Sequence, residues 1–286
     1  MEVHFKQVTV IGVGLIGGSL AGAIKARKAA DAVVGVGRDR DNLQAALKMG
    51  LIDRYTHDIR KGVAGSELVA LCCPAGIFED VAREIKPYLA DQAIVTDVAS
   101  VKGRLVKRME EVLYLKARYV PAHPIAGSEK SGAKAADTRL FEGARCIVTP
   151  TRDTDAQALE AVSTLWERLG AAVERMDPDE HDRVFGMVSH LPHVAAYAMV
   201  GALAGMDGGE KAITYAAGGF KDFTRIAGSH PAMWRDICLL NGPNILAALD
   251  SYQEALWRLR ELIEKGDGDS LASEFEKARA VRLKIE

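Results

Sequence analysis

Val8-Thr9-Val10-Ile11-Gly12-Val13-Gly14-Leu15-Ile16-Gly17-Gly18-Ser19-Leu20 is the stretch on which the fold turns. Its β-branched apolar run predicts a strand, and the following G-x-G-x-x-G predicts a tight turn. The spacing of Leu20, Ala23 and Ile24 then predicts an Ala-rich helix. Gly12 permits the turn, and Gly14 removes the side chain that would hold the backbone away from a pyrophosphate. Gly17 lets the helix lie against the strand. The helix N-terminus then offers free N–H groups to phosphates. Gly12, Gly14, Leu15, Ile16 and Gly17 are therefore candidate contacts to a dinucleotide. A glycine turn kept for packing, or one that holds another nucleotide, is the plainer alternative. Strand, turn and helix in that order favour the dinucleotide.

The next strand is expected over Asp31–Gly37. An acid at its end would accept both ribose hydroxyls and repel a 2′-phosphate. Here Gly37 is followed by Arg38, Asp39 and Arg40. Two guanidinium groups without that acid suit a 2′-phosphate, so the loop leans towards NADP, although Asp39 could turn in and serve NAD. A helix over Asn42–Met49 stops at Gly50. Buried strands follow at Leu68–Pro74 and Ala93–Val98, with a helix over Ile77–Leu89 between them. Cys73 at the first strand end and Ser100 just beyond the second would face the cofactor crevice. Further strands are expected at Arg145–Thr149 and Ala172–Met176, with a helix over Asp155–Leu169, so the sheet is expected to run to about residue 176. Strands alternating with helices imply an α/β parallel sheet of the Rossmann type.

A turn and helix cap at Asp177–His181 marks an expected boundary, giving a dinucleotide-binding domain over 1–177 and a helical domain over 178–286. Beyond it, helical patterns occupy Arg183–Gly205, Pro231–Asp250 and Gln253–Lys265, with a break at Asp207-Gly208-Gly209. Helices this apolar need partners. An all-helical substrate and dimerisation domain that pairs with its twin is the economical reading.

With 286 residues the chain is long enough for two cores. A formal charge of −2 gives no polyanion or nucleic-acid signature. The four cysteines (Cys72, Cys73, Cys146, Cys238) have no metal-site spacing, and their adjacent pair cannot easily bridge, which suggests buried thiols in a reducing compartment. The first strand starts too early for a signal peptide. The longest apolar run, Val184–Met206, is broken by His190, Pro192 and His193, which argues for a buried helix and against a membrane span. A cytoplasmic protein without membrane or nucleic-acid partners is expected.

Two strand ends are dense with polar groups: Asp97–Gly103 and Tyr119–Gly132. His123, between Pro121 and Pro124, sits in what reads as a rigid strand-end loop. A near-neutral imidazole there could accept a hydroxyl proton while hydride leaves the same carbon. Its alternative role is a hydrogen bond within the loop. Ser100 could bond the same hydroxyl or the nicotinamide amide, or cap the following helix. His190 and His193 share a helix face, but a metal needs a third ligand and none stands at useful spacing; a substrate contact from His193 is the better reading. Arg225 could clamp a carboxylate bidentately and Lys221 could supply a point charge, unless they merely pair with neighbours such as Asp222. Trp234 reads as core.

These residues are together similar to one family. Gly12–Ser19, Asp97–Lys102, His123-Pro124-Ile125-Ala126-Gly127-Ser128-Glu129, Ser189-His190-Leu191-Pro192-His193 and Phe220–Arg225 occur in the order of the prephenate and arogenate dehydrogenases of tyrosine biosynthesis. The resemblance spans nearly the whole chain, and its histidine segments are far more specific than the glycine motif. It implies oxidative decarboxylation of prephenate to 4-hydroxyphenylpyruvate, or of arogenate to tyrosine. By that resemblance His123 would draw the proton from the ring C4 hydroxyl, and Ser100 would orient that hydroxyl and the cofactor. Arg225 would bind a substrate carboxylate, His193 would line the pocket with Ser189 behind it, and Glu129 would gate the mouth. Lys221 and Trp234 resemble residues that reach in from the second subunit. Gly37-Arg38 departs from relatives that carry an acid there and use NAD. By this reading neither a chorismate mutase segment before the first strand nor a regulatory domain after Lys265 is expected. Feedback by tyrosine, if present, would then act at the active site itself.

Two rival readings share parts of this pattern. A β-hydroxyacid dehydrogenase has the same layout but resembles its own family in a Lys-x-x-x-Asn pair, which does not occur after Arg183. A non-enzymatic NAD(P)-sensing dimer would have no need of His123.

Overall fold

The computed structural model describes residues 3–285. Six parallel strands form one sheet in the order β3-β2-β1-β4-β5-β6. They are β1 (Phe5–Ile11), β2 (Ala30–Val36), β3 (Arg54–Thr56), β4 (Leu68–Leu71), β5 (Ile94–Asp97) and β6 (Arg118–Val120). The helices between them are α1 (Leu15–Ala26), α2 (Arg40–Lys48), α3 (Ile59–Val63), α4 (Phe78–Ile85) and α5 (Gly103–Leu113). Alternate residues of the central strands feed two cores. Val8, Val10, Leu68 and Ala70 point to one side with Leu20, Ile24 and Trp166. Ile11, Val69 and Leu71 point to the other with Phe78, Ile85 and Met109. A sheet covered on both faces accounts for the near-continuous apolar runs of these strands. The order reverses between β1 and β4, and ligands of such sheets lie at the carboxyl ends beside that switch.

The expected run of the sheet to residue 176 is corrected. β7 (Ala122–Pro124) pairs antiparallel with β8 (Arg145–Val148), which pairs parallel with β9 (Ala172–Arg175), and the three form a separate sheet. The change of sheet falls at Pro121, which has no N–H to donate to a ladder. Its carbonyl accepts instead from Thr149 N–H at 3.1 Å. His123 thus stands inside a short strand, two residues past the proline, and not in a loop. Helix α6 (Ala156–Arg168) joins β8 to β9.

The rest is helical: α7 (Pro178–Phe185), α8 (Leu191–Gly205), α9 (Gly209–Ile213), α10 (Gly218–Thr224), α11 (Pro231–Leu240), α12 (Gly242–Lys265) and α13 (Gly268–Arg282). A π-helical turn at Gly186–His190 joins α7 to α8. The break expected between residues 250 and 253 lies instead at Asn241, whose side chain is drawn inward to Asp182 and His190. The expectation of a buried helix over 184–206 is also corrected, because only Leu191 and Ala196 of α8 are buried. By length and composition alone the run Pro178–Gly205 could cross a membrane. Its α7 end, however, is bonded through Asp182 to the backbone of the α5 N-terminus. Trp234, Ile237 and Ile245 join the second core, so α11 and α12 are docked against the sheet-bearing part.

Candidate active site

The glycine turn has the geometry of a phosphate cradle. Gly12 has φ +97°, and a Cβ there would stand 2.6 Å from the Cys72 carbonyl oxygen. A Cβ on Gly17 would stand 2.1 Å from the Gly12 carbonyl oxygen, so this pair holds α1 close against the sheet. A Cβ on Gly14 would meet nothing within 4 Å, and Gly14 caps α1 with no side-chain bond. Open space therefore faces the uncapped amides of the first turn, which fits a dinucleotide pyrophosphate. Asn42 braces this turn, donating to the Val13 carbonyl at 2.7 Å and accepting Ala133 N–H at 2.7 Å. At the end of β2, Arg38 and Arg40 are exposed, while the Asp39 carboxylate accepts Asn42 N–H at 3.1 Å and caps α2. Cys73 is half-buried beside β4, and burial pushes its thiol up to about 12, so it is no nucleophile at neutral pH.

His123 is buried at the edge where the two sheets meet. Burial holds its ring well below the ordinary imidazole value, and His181, Lys102 and His190 act in the same direction. The near-neutral imidazole expected from the sequence is therefore corrected: the free-base form dominates. His123 Nδ1 lies 2.8 Å from His181 Nε2, and His181 Nδ1 lies 2.9 Å from Asp182 Oδ1. Ser100 is half-buried in the loop after β5 and is not the cap of the next helix. Lys102 holds that position without a side-chain capping bond. Two amides of this helix start, Lys102 and Gly103, donate instead to the Asp182 carboxylate at 2.7 and 2.9 Å.

A buried polar knot stands under His123. Lys102 Nζ pairs with Asp97 Oδ1 at 2.5 Å and donates to the Ala122 carbonyl at 2.6 Å, immediately before His123. Tyr119 donates its hydroxyl to Asp97 Oδ2 at 2.6 Å, and Ala99 N–H donates to Oδ1 at 2.7 Å. Charges this deep persist only when paired and hydrogen-bonded, as these are.

On the helical side, His193 Nδ1 lies 2.9 Å from the Ser189 carbonyl, and its ring stacks on Trp234 with centroids 3.7 Å apart. Trp234 is buried in its own chain, so it reaches this pocket from within the subunit. His190 is buried behind it, 3.0 Å from Asn241 Nδ2. Arg225 is exposed and pairs with Glu129 at 2.9 Å across the crevice, and not with Asp222. Lys221 is exposed on α10.

The structure stacks His193 on Trp234 and pairs Arg225 with Glu129 on the helical side, while His123 in β7 and Ser100 just after β5 stand on adjoining strands. His181 and Asp182 were not among the sequence candidates, and Asp97 and Lys102 stood out only as parts of a polar strand end, with no role of their own. The run Asp179-Glu180-His181-Asp182 reads as a capped helix start, and Asp177 does cap α7. A histidine followed by an acid, 58 residues from His123, carries no local signal of contact.

The description "Prephenate dehydrogenase, nucleotide-binding domain" matches residues 20–175, and "Prephenate dehydrogenase, dimerization domain" matches residues 177–277. The chain is 36% identical to a cyclohexadienyl dehydrogenase of Zymomonas mobilis, over 98% of this chain and 96% of that one. The structure of prephenate dehydrogenase from Aquifex aeolicus in complex with hydroxyphenyl propionate and NAD+ superposes with a TM-score of 0.93 at 37% identity, covering both chains fully. Synechocystis arogenate dehydrogenase superposes with a TM-score of 0.81 at 29% identity, covering 98% of this chain and all of that one.

Proposed function

Because the chain belongs to the prephenate dehydrogenase family, we propose that it oxidatively decarboxylates a cyclohexadienyl substrate, prephenate or arogenate, with a nicotinamide cofactor. The observation that carries this reading is His123: a neutral buried base at the start of the segment whose Gly127 adjoins Ile16 of the glycine turn, followed by Glu129, which holds the cationic Arg225 of the helical side. The division into a dinucleotide-binding domain over 1–177 and a helical domain over 178–286 belongs to the same reading. So does a homodimer formed through the helices, and a cytoplasmic, reducing location in keeping with four free cysteines.

When bound, the oxidised nicotinamide supplies the hydride acceptor. The residues of this chain supply position and proton handling. His123 accepts the proton of the ring hydroxyl as hydride leaves the same carbon, and loss of the ring carboxylate as CO2 makes the product aromatic. Ser100 orients the hydroxyl, while His193 and Trp234 wall the pocket over Ser189. Arg225 exchanges Glu129 for a substrate carboxylate, so the ion pair acts as the gate, and Lys221 adds positive charge. Aromatisation supplies much of the driving force, so one aligned base with a carboxylate clamp suffices.

For the cofactor we favour NADP, because Asp39 is engaged as a helix cap and Arg38 and Arg40 are exposed after β2, free to receive a 2′-phosphate. NAD is the second reading, favoured by the Aquifex complex. A two-by-two assay of prephenate or arogenate with NAD+ or NADP+, following reduced nicotinamide, tests both levels. Turnover in any of the four combinations supports the reaction, and the ratios identify substrate and cofactor. Silence in all four from folded, cofactor-binding protein overturns the reading.

A further inference from the structure

Behind His123 lies a chain of hydrogen bonds that the reaction above does not account for. It runs from His123 Nδ1 to His181 Nε2 at 2.8 Å, and from His181 Nδ1 to Asp182 Oδ1 at 2.9 Å. It ends on backbone, because Oδ1 also accepts Lys102 N–H and Oδ2 accepts Gly103 N–H. The fit at that end is close: a Cβ on Gly103 would stand 3.0 Å from Asp182 Oδ2 and 2.9 Å from the exposed Asp179 carboxylate. All three side chains are buried. Phe185 stacks on His181 at 4.4 Å and leans on His123 at 5.1 Å, which fixes both ring planes.

The direction of each hydrogen bond follows from the last member. A carboxylate only accepts, so the hydrogen between Asp182 and His181 is on His181 Nδ1. Neutral His181 then has its lone pair on Nε2, and the hydrogen between the two rings is on His123 Nδ1. This leaves the lone pair of His123 on Nε2, the nitrogen turned away from His181.

We propose that His181 and Asp182 are positioning residues that lock His123 in the Nδ1–H tautomer and so make Nε2 the base; this rests on the dehydrogenase reading above. As Nε2 takes the hydroxyl proton, the O–H bond breaks and its electron pair forms the carbonyl while hydride departs from the carbon. The imidazolium so formed still donates through Nδ1 to His181, with the Asp182 charge behind it. Lys102 opposes charge on either ring, although its partner Asp97 offsets this for His181, and His190 opposes charge on His123. The pair therefore rests neutral and carries charge only during turnover.

The test uses the full chain labelled with ¹⁵N-histidine. Long-range ¹H–¹⁵N spectra of the substrate-free protein at pH 8 should show His123 and His181 both protonated on Nδ1. His181→Phe keeps a ring but removes the acceptor; it should lose the single His123 tautomer and lower kcat about 100-fold with KM little changed. His181→Gln, whose carboxamide oxygen can take the place of Nε2, should recover at least about tenfold of that loss. His123 protonated on Nε2 in the unsubstituted protein, or equal kcat in the Phe and Gln variants, would overturn the proposal. The tautomer is read without substrate, so a wrong substrate assignment would silence the assay but leave the spectrum to decide. If His181→Phe fails to fold, the unsubstituted spectrum and the Gln variant still do so.

Discussion

His123 shows how one buried ring sets the pH behaviour of the site. Burial first, then His181, Lys102 and His190, keep it below the ordinary imidazole value of 6.5. A base with a depressed pKa stays unprotonated further into acid. The acid limb of kcat/KM should therefore lie below pH 6.5, and a pH–rate profile of the free enzyme checks it; a limb at or above 6.5 would mean the ring is solvated in solution. Arg225 is the second residue with a separable effect. Its pairing with Glu129 is largely exposed, 61% and 37% for the two side chains, so solvent screening leaves it little weight in stability. A charge-assisted bond to a substrate carboxylate is stronger, about 1.5–3 kcal/mol. Arg225→Ala should thus leave the unfolding midpoint in place and raise KM on the order of 10–100-fold, with cofactor affinity unchanged. An unchanged KM would remove Arg225 from the site.

The elements are joined where the chemistry is. Lys102 and Asp97 tie the end of β5 to β7, while Asp182 ties α7 to the start of α5. Removing one partner of a buried pair leaves an uncompensated charge and typically costs about 3–5 kcal/mol. Lys102→Met should lower unfolding free energy by about that amount in a urea titration, even though Asp97 keeps Tyr119 and Ala99 as donors. A change below about 1 kcal/mol would show that Asp97 is held without the lysine. Much at this scale was legible in advance: the glycine turn, the positions of β1, β2, β4, β5, β8 and β9, and the Asp177 cap all follow local rules, whereas the three-residue β3, β6 and β7 are too short to leave a periodic signal. The transfer of His123 to a second sheet was not, because proline at residue 121 announces only that a ladder stops. Nor was the break at Asn241, which is set by the carbonyl of Asp182 and the ring of His190, 59 and 51 residues away.

For the molecule as a whole, the helical part leaves large apolar side chains uncovered: Leu239 at 73% exposure, Leu246 at 61% and Ile263 at 64%. A single chain rarely leaves so much apolar surface open, and the family's dimerisation domain spans it. Sedimentation should show a dimer, and Leu239→Glu with Leu246→Glu should shift it to monomer. A dimer unaffected by both changes would place the interface elsewhere. Stability should also fall in acid. His123, His181 and His190 are all held below 6.5 by burial, His190 down to about 4. The unfolded chain therefore takes up protons first as pH drops. Their contribution is complete above pH 6.5 and is lost progressively below it, with about 3 kcal/mol from His190 alone by pH 4. Thermal unfolding at pH 7.5, 5.5 and 4.5 measures this, and a flat midpoint would mean the rings open to solvent.

The linear chain by itself determined whatever depends on neighbours within one turn or strand. That includes the glycine turn, the alternation of β1, β2, β4 and β5 with α1, α2 and α4, the helical C-terminal part, and the family through His123-Pro124-Ile125-Ala126-Gly127 and Ser189-His190-Leu191-Pro192-His193. The tertiary structure alone decided which groups share a buried volume. It brought His181 and Asp182 behind His123, put Lys102 under Ala122, turned Asp39 into a cap, and set Trp234 against His193 in the same chain. Burial and partnership are properties of packed neighbours distant in sequence, and they fix a ring's tautomer and its charge.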